Sequence, residues 1–238
     1  MPSEVAQLPL SHRVWAWFET NRKQVLWGTA ILVGLGLIIW YVTWRQGEKE
    51  ATAGEALSNV STSPTAAAGA RPEAAAAFLK VAATYPKSSA GTRALLLAAG
   101  SLFLEGKYPE ARIQFERFTR EHRDSPFMSQ ALLGIAASWD AQGKTNEAVM
   151  AYKTLVDHHP GESVIPQAKF ALARLYEGQN KLEQARSLYE ELNRSDPYGS
   201  LGSEAGMRLE ELLAKNPSLA PKPVAIPTNA PPFNLPKR

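Results

Sequence analysis

Two hydrophobic patterns organise the chain. The first is continuous: from Val25 to Trp44 runs VLWGTAILVGLGLIIWYVTW, twenty residues with no ionisable side chain other than Tyr41. As a helix this stretch is ~30 Å long, the thickness of a bilayer's hydrocarbon core, so it predicts a transmembrane helix. Trp27 lies near one end and Trp40, Tyr41 and Trp44 near the other, where aromatic rings favour the membrane interface. Arg22 and Lys23 flank one side and Arg45 the other. A cleaved signal peptide fits less well, because its apolar stretch is about 7–15 residues long with a cleavage site close behind. Here the charged run Arg45 to Glu50 precedes the small residues Ala51-Thr52-Ala53. A buried core helix would rarely be apolar on every face for this length. Upstream, Val14, Trp15, Trp17 and Phe18 stand together with Arg13, Arg22 and Lys23, a pattern that predicts a short interfacial helix within His12 to Gln24.

The second pattern is periodic. At an offset of 37 residues, Ala94, Ala131, Ala168 and Ala205 coincide, as do Ala74, Ala111, Ala148 and Ala185. Phe78, Phe115, Tyr152 and Tyr189 form a third column, and Val81, Phe118, Leu155 and Leu192 a fourth. Leu102, Trp139, Tyr176 and Leu213 form a fifth. A fixed period of this size is the mark of a repeat architecture, in which each unit buries its apolar face against its neighbours. Within each unit the spacing is helical. Leu132, Ile135, Ala136 and Trp139 share one face of a first helix, residues 142–146 (QGKTN) break it, and Ala148, Tyr152 and Leu155 share a face of a second. Pro109 suits the first turn of a helix, and Ser125-Pro126 and Asp196-Pro197 mark unit boundaries.

This grammar predicts a first helix around 46–60 continuing from the span, a long loop over 58–72 and a second helix at 73–85. Three full pairs then cover 90–196, and a terminal helix covers 201–215. After Lys215 the composition changes: residues 216–238 hold seven prolines, which predicts a disordered, polyproline-leaning tail rather than helix or central strand. The expected organisation is therefore an N-terminal segment at 1–24, a transmembrane helix at 25–44, a repeat domain at 45–215 and a proline-rich tail at 216–238. The fold class is all-α.

The repeat units resemble the tetratricopeptide family. Its small, aromatic and proline positions are matched by Ala173, Tyr176, Ala185, Tyr189 and Pro197, and one unit earlier by Ala136, Trp139, Ala148, Tyr152 and Pro160. The first full unit departs from the pattern, with Arg123 in the proline position, and the period is 37 rather than the family's 34. Residues 18–23 (FETNRK), the single span, Trp40-Tyr41 and the following units are together similar to the YfgM-like ancillary subunits of the bacterial SecYEG translocon. That resemblance implies an inner-membrane protein with a cytoplasmic N-terminus and a periplasmic repeat domain. It also implies association with translocon subunits, a membrane-anchored chaperone and exported chains, and no catalytic residues.

Charge adds little to that picture. The net charge is +3, and Lys222, Lys237 and Arg238 in the acid-free tail account for all of it, leaving residues 1–215 neutral. A neutral body offers few phosphate contacts, which argues against nucleic acid. There is no cysteine, so disulfide, thiolate-nucleophile and thiolate-metal chemistry are excluded. Arg13, Arg22 and Lys23 before the span outnumber Arg45 and Lys49 behind it, so the positive-inside rule narrowly favours a cytoplasmic N-terminus. Repeats in the cytoplasm remain the alternative.

No catalytic pattern emerges. Gly143-Lys144-Thr145 has Ser138 where a phosphate-binding loop needs its first glycine. His158-His159 are adjacent on a helix, about 100° apart, and do not make a metal pair. Glu190-Glu191 and Glu210-Glu211 read as solvated faces, with Glu177 and Lys181 spaced for an ion pair. No cofactor or metal is expected, and the chain is read as a non-enzyme. Repeat grooves hold peptides with first-helix side chains, which nominates Arg93, Gln130, Gln167, Lys169 and Arg174. The expected function is a membrane-anchored protein-binding scaffold of the translocon or periplasmic chaperone network. The alternative is a structural adaptor in cell-envelope assembly or cell division.

Overall fold

The structure is a computed structural model that describes residues 17–18, 21–62 and 71–220. Every regular element among them is helical: α1 Arg22–Ser61, α2 Arg71–Thr84, α3 Ser89–Leu104, α4 Tyr108–Glu121, α5 Met128–Ala141, α6 Thr145–His158, α7 Ile165–Gly178, α8 Leu182–Ser195 and α9 Ser200–Lys215, with a 3-10 turn at Pro217–Leu219. The helices fall within a few residues of the predicted positions. The chain divides into two compact units, Met1–Ala94 and Leu95–Arg238.

In the first unit, α1 is one uninterrupted helix of 40 residues, ~60 Å long. Among the described residues it is the one helix long and apolar enough to cross a membrane, and none of its apolar window is buried. Trp27, Trp40, Tyr41 and Trp44 are all at least half exposed, and Trp40 and Trp44 stack with ring centroids 6.4 Å apart. A turn precedes α1, in which the Asn21 backbone N–H donates to the Trp17 carbonyl. Most of the predicted interfacial helix lies outside the described residues, although Trp17 and Phe18 are helical and exposed. Beyond the apolar stretch α1 packs on α2, burying Ala53 and Leu57, while Ala74, Ala75, Phe78, Val81 and Ala82 are buried on α2. The Glu50 carboxylate then accepts from the Ser89 backbone N–H at 2.8 and 3.1 Å, at the start of α3. The predicted long loop at 58–72 shrinks, because α1 extends to Ser61 and α2 begins at Arg71; residues 63–70 lie outside the description.

In the second unit successive helices from α4 to α9 pack in order. One core cluster gathers Ala136, Ala148, Tyr152, Leu155, Ile165, Ala168 and Leu172. The next gathers Ala173, Ala185, Tyr189, Leu192, Ala205, Leu212 and Leu219. All four members of the two alanine columns, the aromatic column and the Val81/Phe118/Leu155/Leu192 column are buried. The fifth column differs: Leu102 is buried, but Trp139, Tyr176 and Leu213 are only partly so. These residues sit at the C-terminal end of each first helix, where cations cover the rings. The Arg112 guanidinium lies 4.2 Å and the Lys144 ammonium 4.7 Å from the Trp139 ring centre, and Lys181 lies 5.6 Å from that of Tyr176.

The turns repeat as faithfully as the helices. Gly106, Gly143 and Asn180, spaced by 37, all have positive φ. At each, the backbone N–H of the next lysine reaches the carbonyl five residues earlier: Lys107 to Leu102, Lys144 to Trp139 and Lys181 to Tyr176. This is the Schellman ending of a helix, for which glycine or asparagine is the natural residue. Gly143-Lys144-Thr145 is thus a helix stop.

Past α9, Leu219 stands 37 residues after Leu182, the first residue of α8. The chain starts a further second helix there, makes one 3-10 turn and buries Leu219, whose carbonyl accepts from the Arg186 guanidinium at 2.5 Å. The ordered fold therefore continues to Ala220, five residues into the stretch expected to be tail, because Leu219 fills the last apolar site that α8 and α9 leave open. The prolines from 221 onward lie outside the described residues.

Ala168 is fully buried within the first core cluster of this unit. Ala168→Leu should overpack it and destabilise the domain by ~1–3 kcal/mol, measured by chemical unfolding of the full chain in detergent.

Candidate protein-binding groove

In the second unit the four first helices turn corresponding faces toward one open concavity of about 1020 Å³. Its floor is built from small residues that recur at the repeat spacing: Gly100 and Ala137, then Gly134 and Ala171. Leu97, Leu104, Leu133 and Phe170 rise around them, and Leu97 and Leu104 are 41% and 67% exposed. Two rings from second helices, Phe115 and Tyr152, reach the floor from beneath. Gly134 is required by one of them, since a Cβ there would stand 2.5 Å from the Phe115 ring.

The polar groups also recur by register. Gln130, Gln167 and Glu204 occupy the same position on α5, α7 and α9. Arg174 on α7 donates to Asp140 on α5 at 2.6 Å, bridging consecutive units. With Arg208 and Glu204 the lining carries two acids and two bases, and is neutral as a whole. Burial, reinforced by the Asp140 charge and opposed by Arg174, pushes the Tyr152 phenol well above its ordinary value, so it stays protonated at neutral pH. An apolar floor edged by carboxamides that both donate and accept suits an uncharged, extended polypeptide segment.

Three of the five nominated residues come together here: Gln130, Gln167 and Arg174. Arg93 holds the same register position one repeat earlier and is exposed, but it belongs to the first unit. Lys169 does not line the groove. Its ammonium reaches Glu191 of α8 at 2.7 Å, and only 20% of its side chain is exposed. Lys169 stands two residues past Gln167, about 200° around the helix, and so faces the neighbouring helix instead. Sequence reasoning missed Leu97, Leu104 and Phe170, which look like core residues in a pattern of apolar positions. For Leu97 and Leu104 the available signal was their columns, which run on through Gly134 and Ala171 and through Ala141 and Gly178, residues too small to fill a core; Phe170 shares its column with Leu96, Leu133 and Met207 and carried no such signal.

The wall at Phe170 is backed by a buried phenol. Tyr189 on α8 meets Phe170 edge-on, with centroids 5.8 Å apart, and its hydroxyl donates to Glu177 at 3.2 Å. Glu177 is therefore engaged by Tyr189, while the expected partner Lys181 covers the Tyr176 ring. The carboxylate pairs are tied to cations, Glu190 to Arg186 and Glu211 to Lys215, each at 2.7 Å. Among the described residues no group of three or more His, Asp or Glu gathers as a metal site.

The model of the tetratricopeptide repeat-like domain matches residues 15–153, more than half of the chain, and that of the tetratricopeptide repeat matches residues 141–198. The chain belongs to the tetratricopeptide repeat-like domain family. Its helical pairs are thus members of a fold whose grooves are typically protein-binding rather than catalytic. Among solved structures it is similar to the nearly identical TPR-like repeats of a kinesin light chain from Podosopora anserina (16% identity, TM-score 0.53, 73% of this chain and 87% of that one). A tetratricopeptide repeat protein from Parabacteroides merdae is comparable, at 15% identity and TM-score 0.53, covering 71% of this chain and 60% of that one. The type III secretion translocator chaperone SycD of Yersinia enterocolitica aligns at 21% identity and TM-score 0.46, over 55% of this chain and 96% of that one. For the first two the likeness is one of fold alone. A search of curated proteins finds no match.

Burial, then the Glu177 charge and hydrogen bond, push the Tyr189 phenol up to about 12 from an ordinary 10. A proton held more tightly in the folded state stabilises the fold fully below pH 10, and that stabilisation is lost as pH rises from 10 toward 12. Tyr189→Phe should therefore lessen the alkaline loss of stability over this window by ~2 kcal/mol, read as the difference between parent and variant in chemical unfolding followed by circular dichroism.

Proposed function

We propose that the chain is a membrane-anchored scaffold that holds extended segments of exported proteins, as an ancillary translocon or periplasmic chaperone-network subunit of the YfgM-like kind. The observation that carries this reading is the groove: apolar on its floor, neutral in charge, and edged by Gln130 and Gln167 at successive repeats. A clamp for acidic peptides or phosphate would need an excess of cations, which this lining lacks. An uncharged floor suits chains that have not yet folded, whose apolar side chains are still exposed. With residues 25–44 as the span and Trp27, Trp40, Tyr41 and Trp44 at its ends, the excess of Arg13, Arg22 and Lys23 over Arg45 and Lys49 favours an N-terminus in the cytoplasm and repeats in the periplasm.

Two experiments test this. A photo-reactive residue at Gln130 or Gln167 of the full chain in bacterial membranes should cross-link exported chains and translocon or chaperone subunits. The same probe at Lys153, an exposed residue outside the groove lining, should not. Recovery of cell-wall or outer-membrane assembly factors instead would favour the structural-adaptor reading. For topology, a C-terminal reporter active only outside the cytoplasm should score positive; fluorescence of a cytoplasm-only reporter would reverse the orientation.

A further inference from the structure

The first unit holds a second cavity, of about 610 Å³, at the lower end of the seam between α1 and α2. Gln46, Lys49 and Glu50 line it from α1, and Thr84 to Ser88 close it from the turn that follows α2. The α1 residues continue the stripe that buries Ala53 and Leu57 higher up, since 46, 49, 50, 53 and 57 lie three to four apart.

Its acid and its charges are unevenly committed. The Glu50 carboxylate accepts from the Ser89 backbone N–H and stands 3.3 Å from the Ser89 hydroxyl, so it serves the α3 N-terminus. Ser88 is also engaged, donating to the Tyr85 carbonyl and accepting from the Gly91 N–H. Lys49 and Lys87, brought to the same cavity from elements 38 residues apart, are both exposed and have no carboxylate partner among the described residues. Two ammonium groups with Gln46 and Tyr85 beside them form a donor set for a singly charged phosphodiester.

Height along α1 selects the source of that phosphodiester. Residues 46–50 lie two to six residues past Trp44, ~3–9 Å further along the helix axis. A bilayer is ~30 Å thick across its hydrocarbon and ~40–45 Å with headgroups, which leaves roughly 5–8 Å for each headgroup layer. With Trp44 at the hydrocarbon boundary, the cavity falls at headgroup depth.

We infer that this cavity binds the headgroup of an anionic phospholipid, with Lys49 and Lys87 holding the phosphate. The inference rests on the membrane-anchored reading above. A zwitterionic headgroup brings its own cation and gains less from the two lysines, so the site discriminates by net lipid charge. Occupied, it fixes the turn Thr84–Ser88 against α1 just outside the bilayer.

The test uses the full chain. Flotation with vesicles of phosphatidylcholine alone and of phosphatidylcholine with phosphatidylglycerol examines the anchor: the chain should float with both. Native mass spectrometry from mixed-lipid nanodiscs then reads the site. The parent should retain phosphatidylglycerol over phosphatidylcholine, and the double variant Lys49→Gln/Lys87→Gln should retain it roughly thirty-fold less, the equivalent of ~1 kcal/mol per lysine. Lys80→Gln, an exposed lysine on α2 outside the cavity lining, should leave retention unchanged. Failure to float with either vesicle would remove the anchor and the inference together. Flotation with both, but equal retention by parent and double variant, would overturn the inference alone. An equal loss in Lys80→Gln would show diffuse surface charge rather than a site. Displacement of the lipid by inorganic phosphate at matched concentration would make it a free-ion site.

Discussion

The repeat domain depends on how closely its helices can approach. Ala131, Ala168 and Ala205 on first helices, and Ala111, Ala148 and Ala185 on second helices, have no exposed surface at all. A methyl group is the largest side chain these contacts admit, and the larger residues of each unit are confined to the spaces between contacts. Phe115, Tyr152 and Tyr189 fill those spaces. Interiors are packed at crystal-like density, so the positions of small and large groups are mutually dependent. The aromatic rings can reach beneath the groove because the alanines bring the helices close enough for a ring to bridge from one layer to the next.

The same economy of volume shapes the groove. A concave surface in a stack of helices needs small residues at its floor, and Gly100, Gly134, Ala137 and Ala171 supply them. Gly134 links the floor directly to the core, because the Phe115 ring occupies the space a side chain there would use. The groove and the core are thus one packing problem. Its polar groups are mostly accounted for locally, Arg174 with Asp140 and the Tyr152 phenol kept neutral by burial. What remains toward solvent is apolar surface with carboxamides beside it. Neutrality leaves binding strength to buried area and backbone hydrogen bonds, which tolerate varied sequences better than charge pairs do.

The helices were legible in the sequence because their signal is periodic twice over, at the helical turn and at 37 residues. Boundaries at Pro109 and at the Gly143 turn followed from residues with a strong backbone preference. Asn180, the third such turn, was less visible, since asparagine takes positive φ less often than glycine. The groove was only partly legible. Gln130, Gln167 and Arg174 share the groove by register, but Lys169, two residues past Gln167, lies on the opposite side of its helix. Buried polar groups were invisible to a hydrophobic pattern. Ser129 and Ser138 are both buried on α5, satisfied by Glu162 at 3.1 Å and by the Gly134 carbonyl at 2.7 Å. Leu219 was overlooked because the prolines around it dominate that stretch, although its register with Leu182 marks it as an α8-like start.

The continuity of α1 has a mechanical consequence. No glycine-rich joint or proline interrupts it between Trp44 and Ala53, and Glu50 clasps Ser89 across the turn. A tether of this kind transmits torque. Adding or deleting one residue just past Trp44 would turn the α2-bearing face by about 100° and shift it by ~1.5 Å along the axis, where a flexible linker would absorb both changes unnoticed. The azimuth of the first helical pair about the axis of the apolar stretch is therefore encoded in the residue count of a single helix.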